Sequence, residues 1–533
     1  MLNQFWTRSS RLGLTGLAAL GLAVPVVARA QTPDQAPPAP RASLTVILGQ
    51  AATQAATQNG QTTVSLSMDD AVQMALETNL GLKSTRLDLD DAAQGLAQAR
   101  ATFLPRMTTS FSRGTSSNPA QQNPDGTFAV SSSTALNSRA SLQQTLPWYG
   151  TGYNVSWSAR RSETPGSRAT FNPSLGSTFQ FSITQPLLRN FMTDSSRAQV
   201  ESSERQQVIT DLQVQQAMIQ LESQVKTAYL QLVAARENQK VAQANLELTE
   251  DALANSRARV EVGVAPQTDI LADEAAVASS RVSAIAAEAQ IAAAEDNLRR
   301  LVLDPSRPDY WSVSLATTDT PELTPREIDL DATIQNALAN RLDLEILKRN
   351  VDLIDLNMRV SKNATMPDLG LQVDYSASGT GGRRTEGELA DRTFGNVLGE
   401  AFAGDYPSWT TSVNFSYPIG RTAAKASFAR AQIQKQQQLL NQRDLELSIV
   451  QQVRAAVRNV QNRARQVEAA RAALQASQQN LDAENQKRAV GLSTNLDLQF
   501  RQQNLAQARL NELNAIISYN QALIDLDRVQ KIR

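Results

Sequence analysis

The stretch Val260-Glu261-Val262-Gly263-Val264-Ala265-Pro266-Gln267-Thr268-Asp269 has a counterpart at Arg488-Ala489-Val490-Gly491-Leu492-Ser493-Thr494-Asn495-Leu496-Asp497. A shift of 228 residues carries Gly263 onto Gly491 and Asp269 onto Asp497, and lays Val225, Leu232, Leu246 and Leu253 over Val453, Val460, Leu474 and Leu481. In each copy a long helical pattern runs in, breaks at the glycine and restarts within a few residues. Glycine ends a helix because it turns left-handed without a Cβ penalty, while Pro266 or Thr494 suits the opening of the next one. Each copy reads as a helix–turn–helix tip, and the chain as two copies of one hairpin.

A second duplication starts each half. Met68-Asp69-Asp70-Ala71-Val72-Gln73-Met74-Ala75-Leu76 is matched at a shift of 262 by Leu330-Asp331-Ala332-Thr333-Ile334-Gln335-Asn336-Ala337-Leu338, and the same shift sets Pro105 on Pro367. The pattern predicts a short helix capped by Ser or Asp, then a longer helix stopped by proline.

After each proline the period changes to two. Leu369, Leu371, Val373 and Tyr375 alternate with Gly370, Gln372, Asp374 and Ser376, and Trp409, Val413, Phe415 and Tyr417 with Thr410, Ser412, Asn414 and Ser416. Earlier, Tyr153, Val155 and Trp157 alternate with Asn154, Ser156 and Ser158, and Phe179, Phe181 and Ile183 with Gln180, Ser182 and Thr184. One apolar face and one face of small uncharged polar residues suit a barrel strand between lipid and a wet lumen. A half-buried strand of a soluble sheet has the same alternation. Ser116 to Ser133 and Ala377 to Ser408, the latter containing Gly379-Thr380-Gly381-Gly382-Arg383-Arg384, read as long loops.

The long helices are expected over 194–262 and 424–490, with return helices over 268–302 and 494–530. Val450, Val453, Val457, Val460, Ala464, Val467, Leu474 and Leu481 recur at three- and four-residue steps, mostly in heptad register, which makes a narrow coiled-coil seam. A helix of about 65–70 residues is a rod of roughly 100 Å.

Composition removes several chemistries. The chain of 533 residues has no cysteine and no histidine, so thiol nucleophiles, disulfides and the usual neutral-pH base and metal ligand are missing. A net charge of -1 gives no basic field for nucleic acid. A carboxylate hydrolase would need two converging acids, but Asp69/Asp70 and Asp90/Asp91 are sequence neighbours on helices and point apart. No enzyme site, cofactor site or metal site is expected. Residues 1–30 read as a secretory signal, with Arg8 and Arg11, an apolar stretch from Leu12 to Val27, and Ala28-Arg29-Ala30. A membrane anchor is the competing reading. Residues 31–64 read as a Pro/Gln/Ala-rich lead-in, and no later run has the ~20 apolar residues of a spanning helix. If the chain crosses a membrane it does so as a β-barrel.

The order of short helix, proline-stopped helix, strands, Gln185-Pro186-Leu187-Leu188-Arg189 (against Tyr417-Pro418-Ile419-Gly420-Arg421), long helix, Val-Gly turn and return helix resembles the TolC-like outer membrane factor family. The resemblance covers about residues 65–530, as repeats over 65–310 and 328–533 with a connector at 311–327. Its most specific local feature is Val-Gly followed six residues later by Asp. The resemblance implies an α+β membrane protein: a homotrimer whose strands form one outer-membrane β-barrel, continuous with an α-helical barrel in the periplasm. It also implies docking to a periplasmic adaptor protein and, through it, to an inner-membrane pump, as in tripartite efflux or type I secretion. A non-conducting coiled-coil tether is the alternative, and the polar strand faces speak against it.

By the same resemblance, the tips Val262, Gly263, Val264, Val490, Gly491 and Leu492 would meet the adaptor; structurally, the glycines simply end helices. Asp269 and Asp497 would line a periplasmic aperture. A first-turn carboxylate is also favoured by the helix dipole, and Thr494 with Asp497 has capping-box spacing. The family's further acidic position is Phe500 here, which thins any acidic ring and offers an apolar constriction instead. The first half holds four candidate strands, 106–113, 139–146, 152–160 and 177–185. If all four span, each protomer contributes six strands and a trimer's pore is wider than the usual one of about twelve; the family's usual two per repeat, which is favoured, leaves 139–160 as a hairpin outside the membrane. The transported substrate is not legible.

Overall fold

The computed structural model describes residues 57–58, 61–122, 128–164, 169–264, 266–319, 326–385, 390–490 and 492–530. The leader expected at 1–30, the lead-in up to residue 56, residues 320–325 of the connector, and Gly491 lie outside the described residues.

Two short strands, β1 (Thr57–Gln58) and β2 (Gln61–Leu66), precede α1 (Met68–Thr78) and α2 (Leu80–Ala101). Strands β3 (Arg106–Gln122), β4 (Phe128–Thr145), β5 (Gly152–Glu163) and β6 (Phe171–Pro186) follow. Then come α3 (Ser195–Glu261), α4 (Gln267–Val302) and β7 (Ser314–Thr317). The order resumes with α5 (Leu330–Asn340), α6 (Leu342–Asn363), β8 (Asp368–Arg384), α7 (Phe394–Ala403) and β9 (Pro407–Ser416). Helices α8 (Thr422–Ala489) and α9 (Asn495–Gln530) close the chain. Among the described residues no helix is long and apolar enough to cross a membrane.

Local chemistry explains the helix starts. Ser67 and Asp70 form a capping box: Ser67 Oγ donates to Asp70 Oδ2 at 2.7 Å and accepts from Asp70 N at 3.2 Å. Asp329 caps α5 by accepting from Asp331 N at 3.0 Å. Helix α3 has 67 residues, which at 1.5 Å per residue is about 100 Å of rod. No single core could cover it, and its stability comes from pairing along its length.

Two apolar clusters do that pairing at one level of the helices. Val225, Tyr229 and Leu232 of α3 pack with Leu298 and Val302 of α4, and with Leu66 and Leu315 of β2 and β7. Ile449, Val453, Val457, Val460 and Val467 of α8 pack with Tyr519, Ala522 and Leu526 of α9. Strands β2 and β7 pair in parallel, from Thr63 opposite Ser314 to Leu66 opposite Thr317.

The large sheet has six strands in the order β3-β4-β5-β6-β8-β9, all antiparallel. All four candidate strands of the first half are present, and 139–160 belongs to the six-stranded sheet, as the alternative of six strands per protomer requires, rather than standing apart as a separate hairpin. The sheet corrects the expected loops. Ser116 to Ser133 is largely strand, because facing hydroxyls bond across the ladder: Thr115 to Thr134 and Ser116 to Ser133, both at 3.1 Å. A hairpin whose polar pairs satisfy each other needs no apolar face, and so shows no alternation to read. Residues 378–384 continue β8 past the expected end at 377, and α7 forms inside the second expected loop.

Candidate functional site

Two places carry the chemistry: the tips between long and return helices, and the two faces of the sheet. At the first tip Gly263 has φ 76 and ends α3. Gly263 N donates to Val260 O at 3.0 Å, and Val264 N to Arg259 O at 3.0 Å. This pair of bonds is the Schellman closure, which satisfies carbonyls the helix end would leave open. At the second tip Leu492 N donates to Lys487 O at 2.9 Å, the same six-residue closure displaced by the same 228 positions.

Both closures push apolar side chains outward. Val262, Val264, Val490 and Leu492 are 72%, 65%, 70% and 78% exposed. Nothing within 4 Å would meet a Cβ at Gly263, so its surroundings are open and only its backbone conformation demands glycine. Four solvated apolar side chains on two turns make small exposed apolar patches rather than a core.

The acids separate in role. Asp497 is exposed and completes the capping box: it accepts from Thr494 Oγ1 at 2.5 Å and Thr494 N at 3.4 Å, and its own N donates to Thr494 Oγ1 at 3.2 Å. The Thr494 hydroxyl first, then its backbone N–H, then Arg501 and Lys487, hold the Asp497 carboxyl below its ordinary range against a smaller desolvation cost. Asp269 sits half-buried in the first turn of α4, where Pro266 supplies no side-chain cap. Phe500 is 57% exposed, with the Arg501 guanidinium 5.8 Å from its ring centroid.

Sequence reading missed the groups that tie these helices. Glu484 is buried on α8 and lies 3.4 Å from Lys487 Nζ and 3.8 Å from Arg501 Nε of α9. The Ser493 hydroxyl is the main cause that lowers the Glu484 carboxyl below its usual range, aided by Lys487 and Arg501. Asp273, one helical turn beyond Asp269, is buried and accepts a hydrogen bond from Gln499 Nε2 of α9. The four-residue spacing of Asp269 and Asp273 was the one available signal.

The sheet is two-faced across all six strands. The register puts Leu142, Val155, Phe181 and Tyr375 in one row and Trp409 beside Tyr375, so one face is apolar with aromatic rings. The other face holds rows such as Ser141, Ser156, Gln180 and Ser376. Strand β3 obeys the same division, with Met107 opposite Leu142 on the apolar side and Thr108 opposite Ser141 on the polar side.

The sequence profile described as "Outer membrane efflux protein" matches residues 71–302 and 333–529. The chain belongs to the outer membrane efflux protein family. The family is one of outer-membrane efflux channels. Among curated relatives, the outer membrane efflux protein BepC of Brucella suis biovar 1 (strain 1330) is 26% identical over 296 residues, covering 54% of this chain. That match spans 58% of the length of BepC. Among solved structures, the Campylobacter jejuni CmeC outer membrane channel superposes with a TM-score of 0.63 at 16% identity, covering 87% of this chain and 85% of its own. The outer membrane protein VceC from Vibrio cholerae does so with a TM-score of 0.60 at 13% identity, covering 87% and 95%. These likenesses establish the fold.

Proposed function

We propose that this protein is the outer-membrane exit duct of a tripartite efflux or type I secretion assembly, conducting substrates passively from an inner-membrane pump and a periplasmic adaptor. The observation that carries this reading is the polar face that runs across six strands, backed by a face that is mostly apolar. A closed barrel built from such a sheet holds water inside and meets lipid outside. Six strands from each of three copies make eighteen, against about twelve for four strands per protomer. Barrel diameter grows roughly linearly with strand number, so the pore is about half again as wide as the usual one. The duplicated hairpins lie in the periplasm, with Val262, Gly263, Val264, Val490, Gly491 and Leu492 as adaptor contacts and Asp269, Asp497 and Phe500 at the aperture.

A non-conducting tether is the second reading. It has no use for rows of Ser, Thr, Asn and Gln on one face, where bulky apolar residues would fill a barrel better.

Single-channel conductance of the detergent-purified protein in a planar bilayer tests the proposal, alongside Asp497→Ala. The duct reading expects a small cation-selective conductance that rises in the variant. Conductance unchanged by the substitution keeps the duct and returns Asp497 to helix capping alone. A folded trimer that never conducts, even with tip substitutions, sinks the duct in favour of the tether.

A further inference from the structure

We propose that the end of the sheet remote from the long helices carries a groove for an anionic, phosphate-bearing acyl lipid of the outer leaflet. The proposal rests on the duct reading, which sets the apolar face of the sheet against lipid.

Helix α7, inserted between β8 and β9, lies on that apolar face. Its Val397 and Ala401 are buried, as is Ala377 of β8, and the Phe402 ring is 5.7 Å from Phe179 of β6. Glycines let the helix touch the strand backbone: a Cβ at Gly379 would sit 2.2 Å from Val397 O, and one at Gly381 would sit 2.6 Å from Val397 Cγ2. A helix on the lumen side would narrow the pore. On the apolar side it has another use.

Its depth follows from the register. Strand β9 pairs with β8 over Asp368 to Ala377, ten residues counted from the helical end. A tilted strand needs about 9–11 residues to cross the hydrocarbon core. Gly379, Gly381 and the strand residues beside them therefore stand at headgroup level, where aromatic rings and arginines gather.

Beside α7 at this level is a cavity of about 600 Å³, within the size of small-ligand sites. Leu136, Trp157, Leu175 and Phe394 form an apolar wall fit for an acyl chain. Arg161, Arg383 and Arg392 surround it, against Asp391 as the single acid of the lining. Asp391 is engaged by Arg384 N at 3.0 Å, Arg161 lies 3.4 Å from Glu163, and Arg392 pairs with Glu400. Arg383 has no ion pair among the described residues, unlike Arg161 and Arg392. The local excess of guanidinium calls for an anion, and a planar fork of donors fits phosphate oxygens best. Free phosphate has no need of the apolar wall, and a zwitterionic lipid gains little from the arginines. A phosphate-bearing acyl lipid uses both.

Full-length variants that retain a single tryptophan test the groove in phosphatidylcholine vesicles doped with either brominated phosphatidylglycerol or brominated phosphatidylcholine. Trp409, on the apolar face but outside the groove, is expected to be quenched by both lipids. Trp157 is expected to be quenched preferentially by phosphatidylglycerol. Its half-quenching concentration should rise about fivefold for each of Arg161→Gln and Arg383→Gln, the size of effect of one basic residue at an anionic surface. Inorganic phosphate should leave that preference intact. Equal quenching of Trp157 by the two lipids, with Trp409 quenched, overturns the groove and leaves the duct standing. Loss of the preference to inorganic phosphate overturns the lipid assignment in favour of a bare phosphate site. Trp409 untouched by either lipid removes the duct reading and the groove with it.

Discussion

The Gln499 side-chain amide donates to the Asp273 carboxylate, joining α9 to α4 across 226 positions of chain. Asp273 is buried, and Leu498, next to Gln499, is buried as well. The bond therefore sits inside the contact between hairpins from different halves of the chain, a short way behind the tips. Glu484 with Lys487 and Arg501 makes a second tie, within the hairpin of α8 and α9. Any opening of the tips that separates α9 from α4 must break the first tie, whereas the second can travel with its hairpin.

Gln499→Leu is expected to raise single-channel conductance, because the closed arrangement loses a charged hydrogen bond of about 1.5–3 kcal/mol and the open one loses nothing. Arg501→Gln should raise it less, since Glu484 keeps Lys487. Planar-bilayer recording of the two variants decides the order, and an equal or reversed effect rejects the Asp273 tie as a gate element.

The Asp497 carboxyl is held below its ordinary value of 3.8, so its charge outlasts that of a free aspartate as the pH falls. With a depressed folded-state pKa, the helix cap is fully present above 3.8 and is lost as the pH falls through the lower folded value. Cation selectivity, read from reversal potentials, is expected to stay level down to about pH 4. In Thr494→Val the hydroxyl that contributes most is gone, so selectivity should begin to fall at a higher pH. A titration that the valine leaves unmoved means Asp497 does not set selectivity.

Much of this was legible because it is local. The seam Val453, Val457, Val460 and Val467 shows its three- and four-residue steps in sequence, and all four side chains are buried. Ser67 with Asp70 and Thr494 with Asp497 declare their capping boxes by spacing alone. What stayed hidden depends on distant partners. The outer parts of β3 and β4 satisfy themselves through hydroxyl pairs, leaving no apolar stripe to detect. Helix α7 is placed by Gly379 and Gly381, which look like loop residues until a helix backbone is found against them. Asp273 and Gln499 each read as ordinary solvated helix positions until the two return helices are brought together.

Gly263→Val places a β-branched residue at φ 76 with open space around it, so the cost is backbone strain and not a clash. Strain of about 1–2 kcal/mol is expected, enough to weaken the Schellman closure without unfolding α3. Hydrogen exchange should speed up at the Gly263-position and Val264 amides and stay unchanged near Tyr229. Faster exchange spreading to Tyr229 would show that the tip and the core cluster open as one unit.

Gly379→Val brings a side chain into the Val397 carbonyl, backbone against which nothing flexible can yield. Helix α7 is expected to leave the sheet, and protease should then cut within 394–403 while β-sheet circular dichroism is retained. Gly395→Val is the control, since the nearest atom to a Cβ there is the Thr393 hydroxyl at 3.7 Å. Equal protection in both variants would mean that α7 is not held by its contact with β8.

Tyr229 gathers three backbone groups at the foot of the first cluster. Its hydroxyl donates to Leu66 O at 2.9 Å and accepts from Thr318 N and Asp319 N, each at 3.2 Å. Removing it in Tyr229→Phe takes the acceptor from Asp319 N, while Leu66 O and Thr318 N keep their bond to each other at 3.1 Å, so the cost is about 1 kcal/mol, the low end of the range for a lost buried partner. Burial is the first cause that raises the phenol above its ordinary 10.0, with the Asp319 charge adding to it against hydrogen bonds that lower it. Above pH 10 the unfolded chain has released this proton while the folded one keeps it, so stability falls as the pH rises further. The thermal midpoint of Tyr229→Phe should therefore lie below that of the native protein at neutral pH, and the gap should narrow above pH 10 as the native protein loses this contribution. A gap that stays constant through the alkaline range would show that Tyr229 stabilises the fold by packing alone.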